Sequence, residues 1–229
     1  FIEYELKEAK FTLGGGLSGW NGLSRYASPS IGSILSLDAP LYQQITNGIN
    51  DQFLRKLSIH AKGILGNFNY RVALTTPMAV QTSSNYNPII SKDAASFSSE
   101  APELQYQGYF MYHFKDTEEN ITPYTTGTYL GSKSVVNLGA GLIYQPNALW
   151  SLNDNSDTIT HKMLAIGSDF FLDEPLNEKA VLTLYSAYHY FDFGKNYIKN
   201  IGVMNPANGS NRTDVLNGAG NAYPCIGHG

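Results

Sequence analysis

Residues 57–74 read LSIHAKGILGNFNYRVAL, and this stretch is the strongest indication of how the chain folds. Gly66-Asn67 separates two runs in which apolar and polar residues alternate, and both turn residues tolerate the positive φ of a two-residue hairpin turn. Successive side chains of a strand point to opposite sides of a sheet. The stretch therefore predicts a β-hairpin with one apolar and one polar face. The apolar face carries Leu57, Ile59, Ala61, Phe68, Tyr70, Val72 and Leu74, and the polar face carries Ser58, His60, Lys62, Asn69, Arg71 and Thr75.

Similar runs, rich in Tyr, Phe, Leu and Gly, recur along the chain. They are 1–6, 10–20, 53–65, 68–76, 104–116, 134–145, 159–172 and 180–192. Apart from 117–133, the connectors alternate between short segments and long Asn/Ser/Gly/Pro-rich ones such as 21–52, 77–103 and 146–158. A membrane strand needs about 9–11 residues, and outer-membrane barrels have tight periplasmic turns and longer outer loops. The sequence thus predicts an all-β fold: an antiparallel up-and-down transmembrane β-barrel with short periplasmic turns and long extracellular loops.

Alternation alone is equally compatible with a soluble β-sandwich that binds carbohydrate, in which the apolar faces point inward. Three features favour the barrel: the connector lengths, the small or long polar residues opposite the apolar face, and aromatic residues near run ends (Tyr106, Tyr144 and Tyr190). Run 180–192 is apolar or aromatic on both faces, so its orientation stays open.

Composition narrows the function classes. Charged residues make up 15% of the 229 residues, below the roughly 25% of an ordinary soluble domain. The sequence contains no stretch of about 18 consecutive apolar residues, so no membrane-spanning helix is predicted. A net charge of −4 without a basic stripe argues against nucleic acid as a partner. One cysteine, Cys225, rules out an internal disulfide framework and a cysteine-based zinc site.

The short motifs that suggest chemistry have simpler interpretations. Residues 14–19 match the dinucleotide pattern G-x-G-x-x-G, but no helical pattern follows, so a glycine-rich strand is favoured. The segment 153–157 offers oxygen ligands for calcium without EF-hand spacing, and a solvated turn is favoured. No zinc motif and no serine nucleophile elbow occur, although His and Ser or Asp could still converge across strands. We therefore expect no enzyme activity, no cofactor and no metal.

The polar face of neighbouring runs carries five basic side chains that we predict to line a lumen. They are His60, Lys62, Arg71, His113 and Lys115. Glu3, Glu5 and Asp169 are acidic residues of the same faces. The simpler interpretation is that these residues satisfy one another. The alternative is an electrostatic constriction that favours anions.

Short motifs in a characteristic order run along essentially the whole chain. They are GGGL (14–17), WNGLSR (20–25), LDAP (37–40), DQF (51–53), AKG (61–63), YRVAL (70–74), QGYFMY (107–112), TYLG (128–131), NLGAG (137–141), DFG (192–194) and GVMN (202–205). In order and spacing they resemble the porin-type outer-membrane proteins of the Bacteroidota.

The resemblance implies an outer-membrane porin through which small polar solutes diffuse passively in a water-filled lumen, without cofactor or catalytic residues. It implies that 1–229 is a single β-barrel domain, an incomplete one, with more than eight strands and further strands beyond its ends. The expected partners are outer-membrane lipid and lipopolysaccharide, small polar solutes, and either further copies of the chain or a larger envelope complex. An alternative is a structural, non-conducting barrel subunit of an outer-membrane or secretion complex. Loops 21–52 and 77–103 are the two candidates for a loop that folds into the lumen, and the sequence leaves open which of them does so.

Overall fold

The computed structural model describes residues 2–6, 10–28, 56–77, 90–92, 94–201 and 223–226, and these form an all-β protein. The strands are β1 (Ile2–Leu6), β2 (Phe11–Ser18), β3 (Lys56–Leu65), β4 (Phe68–Thr76), β5 (Ser96–Phe97), β6 (Gln105–His113), β7 (Val135–Leu152), β8 (Thr158–Asn177), β9 (Ala180–Asp192), β10 (Ile198–Ile201) and β11 (Tyr223–Ile226). The described part of the chain contains no helix long and apolar enough to cross a membrane.

One antiparallel sheet contains most of these strands. Its order is β1-β2-β3-β4-β6-β7-β8-β9, so each long strand pairs with the next one along the chain. The two-residue strand β5 pairs with the end of β7, and β10 and β11 form a separate two-stranded sheet. The predicted up-and-down, all-β arrangement is confirmed.

The predicted hairpin has the expected register. Leu65 pairs with Phe68 across Gly66-Asn67, and the pairing continues to Leu57 opposite Thr76. Gly66 has a φ of 62°, whereas Asn67 is not among the described residues with positive φ. Positive φ at the first turn position alone is typical of a type II′ turn, which matches the twist of the two strands. The predicted glycine-rich strand is also confirmed, because Gly14, Gly15 and Gly16 lie within β2.

Strands β7 and β8 extend beyond the predicted runs 134–145 and 159–172. The prediction ended the first run at Gln145 and assigned 146–158 to an Asn/Ser/Gly/Pro-rich connector. The structure instead has a register shift between Gln145 and Leu149, and Asn147 adopts a φ of 46°. This bulge lets β7 resume pairing with β8 as far as Leu152 opposite Thr158. The predicted long connector 146–158 is therefore reduced to the turn 153–157.

In a soluble sheet the apolar face is buried and the polar face is exposed. In this sheet the polar face is buried and the apolar face is exposed. Leu57 and Ile59 are 60% and 64% exposed, whereas Lys62 and Arg71, on the other face, are only 7% and 8% exposed. The alternation continues through β6, β7 and β8, where the polar face is buried at Gln105, Gln107, Asn137, Asp169 and Asp173. We call the buried polar side the inner face and the exposed apolar side the outer face.

The structure also orients β9, which the sequence left open. Leu182, Leu184 and Tyr188 are exposed on the outer face, and the alternate residues are half-buried. On this outer face Tyr106 pairs with Tyr144, their ring centroids 6.3 Å apart. Tyr190 lies opposite Ile166, two positions along β8 from the partner of Tyr144. The three tyrosines named in the sequence therefore lie at adjacent levels of the sheet, near the middle of β7 rather than at its end.

Residues 19–28, which we call the inner loop, follow β2 and lie against the inner face. Residues 21–28 are buried throughout. A Cβ atom at Gly141 or Gly167 would collide with the carbonyl oxygen of Leu23, so these glycines leave the space that the loop occupies. Leu23 joins an apolar cluster with residues of β7, β8 and the segment 94–97. Of the two candidate loops, 21–52 places residues 21–28 on the inner face, and 77–103 contributes the buried segment 94–97 to the same apolar cluster. Residues 29–55 and 78–89 are outside the described residues.

Candidate functional site

The inner face of β1, β2 and β3 brings Glu3 and His60 together. Both residues are register partners of Gly14, on the strands that flank it. A Cβ atom at Gly14 would lie 2.5 Å from His60 Nε2 and 2.8 Å from Glu3 Cγ. Because Gly14 has no side chain, His60 Nε2 and Glu3 Oε1 meet across it at 2.8 Å. The triglycine motif is thus explained by the close approach of two ionisable side chains.

Lys62 and Arg71 lie directly opposite each other on β3 and β4. Lys62 Nζ is 2.8 Å from Glu3 Oε1 and donates a hydrogen bond of 2.6 Å to the Ile121 carbonyl oxygen. Arg71, by contrast, has no hydrogen-bond or ion-pair partner within the described part of the chain. Like charges directly opposite each other in a sheet are destabilising. The repulsion between Lys62 and Arg71 is therefore expected to destabilise the folded protein.

The other two predicted lumen residues lie elsewhere. His113 ends β6, opposite Asn137, and is fully buried. Both ring nitrogens of His113 lack a hydrogen-bond partner among the described residues. Lys115 lies beyond the end of β6, half-exposed, with its Nζ 2.7 Å from Glu174 Oε1. The structure thus brings together His60, Lys62 and Arg71 around Glu3, and separates Lys115 from them.

A groove runs along this cluster, with about 490 Å³ of open space. It is lined by Glu3, Trp20, Ser58, His60, Lys62 and Arg71, among others. Arg71 also borders a second open space of about 380 Å³, which is lined by Trp20, Asn69 and the exposed residue Glu119 among others. Arg71 and Trp20 therefore border both spaces.

A second polar cluster, which the sequence did not indicate, fixes the inner loop. The Arg25 guanidinium donates to both carboxylate oxygens of Glu118, at 2.7 and 2.6 Å. Glu118 also accepts hydrogen bonds from Tyr129 and Asn137, at 2.8 and 2.6 Å. The Arg25 guanidinium carbon lies 3.6 Å from the centroid of the Phe171 ring. A bidentate pair with this many further contacts holds both partners in one geometry.

Electrostatics favour the charged form of Glu118. Burial by itself would raise the pKa of the Glu118 carboxyl group. The positive charge of Arg25, with the hydrogen bonds from Arg25 and Tyr129, outweighs burial and holds this pKa below its usual range. Glu118 is therefore ionised at neutral pH and compensates the buried charge of Arg25.

Further hydrogen bonds tie the inner loop to the strands. The Arg25 backbone N–H donates to Asp169 Oδ2 at 2.5 Å, and Tyr109 donates its hydroxyl to Asp169 at 2.8 Å. Lys56 Nζ donates to Asn21 Oδ1 at 2.9 Å and to Gln105 Oε1 at 2.8 Å. These bonds join residues far apart in sequence, so no local pattern could have revealed them.

Convergence of Ser and His, which the sequence left open, does occur among the described residues. Ser151 Oγ of β7 and His161 Nε2 of β8 are 2.8 Å apart, and His189 Nε2 of β9 lies 3.1 Å from the buried Ser24 Oγ of the inner loop. Ser151 is fully buried, so its hydroxyl has no exposed surface from which to meet a substrate. The segment 153–157 is a turn closed on itself, since Asn153 Oδ1 accepts the Asp157 backbone N–H at 2.8 Å. Among the described residues no group of three His, Cys, Asp or Glu side chains is arranged to hold a metal ion.

Fold and site together define an all-β protein with one large antiparallel sheet. Its buried face carries charged and polar side chains beside apolar ones such as Ile143 and Phe171, and its exposed face is apolar. Comparison with known protein families, characterised proteins and solved structures finds no match for this chain.

Proposed function

We propose that this chain forms most of a porin-type barrel in the bacterial outer membrane, and that its inner face borders a water-filled path for small polar solutes. The observation that carries the proposal is the reversed burial of the two faces. Fully burying a large aliphatic side chain is worth roughly 1.5–3 kcal/mol. An outer face with many half-exposed Leu, Ile, Val, Tyr and Phe side chains would forgo much of that gain in water. Acyl chains of a bilayer would cover it.

The exposure of the outer face in the isolated sheet also argues for a membrane location. A soluble sandwich would instead need a second sheet packed over the apolar face. The proposed partners are outer-membrane lipid and lipopolysaccharide on the outer face, and further strands, copies of the chain or envelope proteins at its edges. A passive path needs no catalytic residue and no cofactor.

Spin labels test the membrane location. Cys225 is the single cysteine, so a Cys225→Ser background allows one label at a time. In lipid vesicles, labels at Leu57→Cys and Ile59→Cys are expected to collide with dissolved oxygen more than with a water-soluble nickel chelate, because these side chains would contact acyl chains. A label at Leu130→Cys, on an exposed loop, is the matched control and should favour the chelate. Preferential collision of the Leu57 and Ile59 labels with the chelate would contradict the membrane location.

A non-conducting barrel with a structural role is the second candidate. The observation in its favour is the inner loop, which occupies part of the inner face and is held there by the Arg25–Glu118 pair. The two candidates differ in one measurable property, which is ion conductance across the barrel.

Planar-bilayer recordings separate the two candidates. For a pore we expect discrete conductance steps, and we expect the reversal potential of Arg71→Ala and of Lys62→Ala to shift toward cation preference, since each removes a positive charge from the inner face. A full-length, folded protein that inserts without conductance would favour the structural role. Conductance with unchanged reversal potentials would retain the pore and dismiss the electrostatic constriction.

A further inference from the structure

Arg71 differs from the other buried charges of the inner face in making no hydrogen bond or ion-pair contact with any residue that the structure describes. Arg25 is paired with Glu118, and Lys62 with Glu3. Lys56 donates to Asn21 and Gln105. Arg71 is 8% exposed and makes no hydrogen bond or ion pair within the described part of the chain. Buried charges in proteins are paired or bound to ligands, because an uncompensated one costs several kcal/mol.

The surroundings of Arg71 increase that cost. Lys62 faces it directly across the β3–β4 pair. Glu3, the nearest acidic side chain lining the same groove, already contacts His60 and Lys62 at 2.8 Å each. Lys62 and Arg71 therefore have one groove-lining carboxylate between them, that of Glu3. Glu3 attracts Arg71 electrostatically but makes its ion-pair contacts with His60 and Lys62. Among the described residues that line the groove, positive charge is in excess.

The chemistry of the groove suits a small anionic solute, and the groove is partly open to solvent. The guanidinium group presents a planar fork of N–H donors that matches the two oxygens of a carboxylate or phosphate. Trp20 lines the same groove and adds an aromatic surface.

We propose that Arg71, with Lys62 beside it, forms an oxyanion-binding subsite on the inner face, which takes small solutes bearing a carboxylate or phosphate group. This deepens the proposed function, on which it rests, by naming the class of solute that the path favours. Arg71 then serves binding rather than stability. A residue of this kind is expected to cost the empty fold stability and to repay it when the anion is bound.

Tryptophan fluorescence measures this binding directly. The chain has two tryptophans, and a Trp150→Phe background leaves Trp20 as the reporter in the groove. Inorganic phosphate added to the full protein in detergent is expected to give a saturable change, as is acetate, whereas glucose should give none. Arg71→Gln is expected to weaken phosphate binding about tenfold or more, because the bidentate contact is lost. Arg71→Lys, which keeps the charge without the fork, should lie between the two.

Controls keep this test independent of folding and of conduction. Lys162→Gln removes an exposed lysine charge paired with Asp192 and should leave phosphate binding unchanged. Arg71→Gln should not lower the thermal midpoint of the empty protein, and phosphate should raise the midpoint of the parent but not of this variant. If Arg71→Gln does not fold, Lys62→Gln is the second variant, with a weakening of about threefold expected from the lost neighbouring charge.

Equal phosphate affinity in the parent and in Arg71→Gln, an equal response to glucose, or no saturable response in the parent would each overturn the subsite. Arg71-dependent phosphate binding in a protein without conductance would preserve the subsite while the pore fails. Conductance without Arg71-dependent phosphate binding would support the pore and overturn the subsite.

Discussion

Glu118→Ala is expected to destabilise the folded protein by about 3–5 kcal/mol, the usual cost of removing one partner of a buried ion pair. Arg25 would keep its charge while losing both carboxylate contacts, and the hydrogen bonds from Tyr129 and Asn137 would go with them. The inner loop, which these contacts fix, should detach from the sheet. The free energy of unfolding in urea, measured with the protein in lipid vesicles, checks the first expectation.

Detachment of the inner loop has its own readout. In a Cys225→Ser background, Leu23→Cys is expected to be protected from a water-soluble maleimide, because Leu23 is fully buried. Adding Glu118→Ala should make the same cysteine reactive and, in a conducting barrel, should raise the single-channel conductance. Glu119→Ala is the matched control, since this neighbouring carboxylate is exposed. If both alanine variants unfold at the same urea concentration, the Arg25–Glu118 pair does not hold the loop.

Low pH is expected to weaken the Arg25–Glu118 ion pair. The pKa of Glu118 is lower in the folded protein than its ordinary value, since Arg25 and its hydrogen bonds outweigh burial. A carboxyl group whose pKa is lowered by folding stabilises the folded protein at pH values above its unfolded-state pKa. This stabilisation is lost as the pH falls through the folded-state pKa. Wild-type protein is therefore expected to lose more stability than Glu118→Gln as the pH falls below the ordinary carboxylate range.

Leu142→Lys is expected to have the second large effect. Leu142 lies on the outer face near the middle of β7, opposite Gly108 and Ile166. At an exposed position in water such a change would alter stability by about 0.5 kcal/mol or less. A lysine facing the middle of a bilayer costs about 2–4 kcal/mol. We therefore expect Leu142→Lys to lower the free energy of unfolding in vesicles by that larger amount.

Leu130→Lys supplies the control for this substitution. Leu130 is as apolar as Leu142 and more exposed, but it lies in the loop between β6 and β7. It should tolerate lysine in vesicles. Equal and small effects at both positions would mean that the outer face is in water, and the membrane location would then be wrong.

Much of the sheet could be predicted from the sequence. Gly66-Asn67, flanked by alternating residues, specified both the turn and the register from Leu57 to Leu74. Period-two alternation also separated Lys62 and Arg71 from Leu57 and Ile59. The prediction failed at Pro146, where a bulge carries β7 onward, because a bulge leaves no periodic signal.

The second polar cluster could not be predicted in this way. Arg25 and Glu118 lie in two different connectors, and each is an ordinary polar residue of an irregular segment. Their meeting depends on how the inner loop crosses the sheet above Gly141 and Gly167. Likewise Arg71 was identified as an inner-face residue from its position, but its lack of a partner emerged only from the contacts around it.

The sequence by itself determined the strands, their turns and the division of each strand into an apolar and a polar side, because these depend on neighbouring residues and on the alternating geometry of an extended backbone. It could not determine which side is buried, since alternation is the same for both answers. Tertiary structure decided that the polar side is the buried one, because the inner loop and the segment after β6 pack against it. Connector lengths and residue types favoured the barrel arrangement, but the buried side itself is determined by packing between distant segments, which no local pattern encodes.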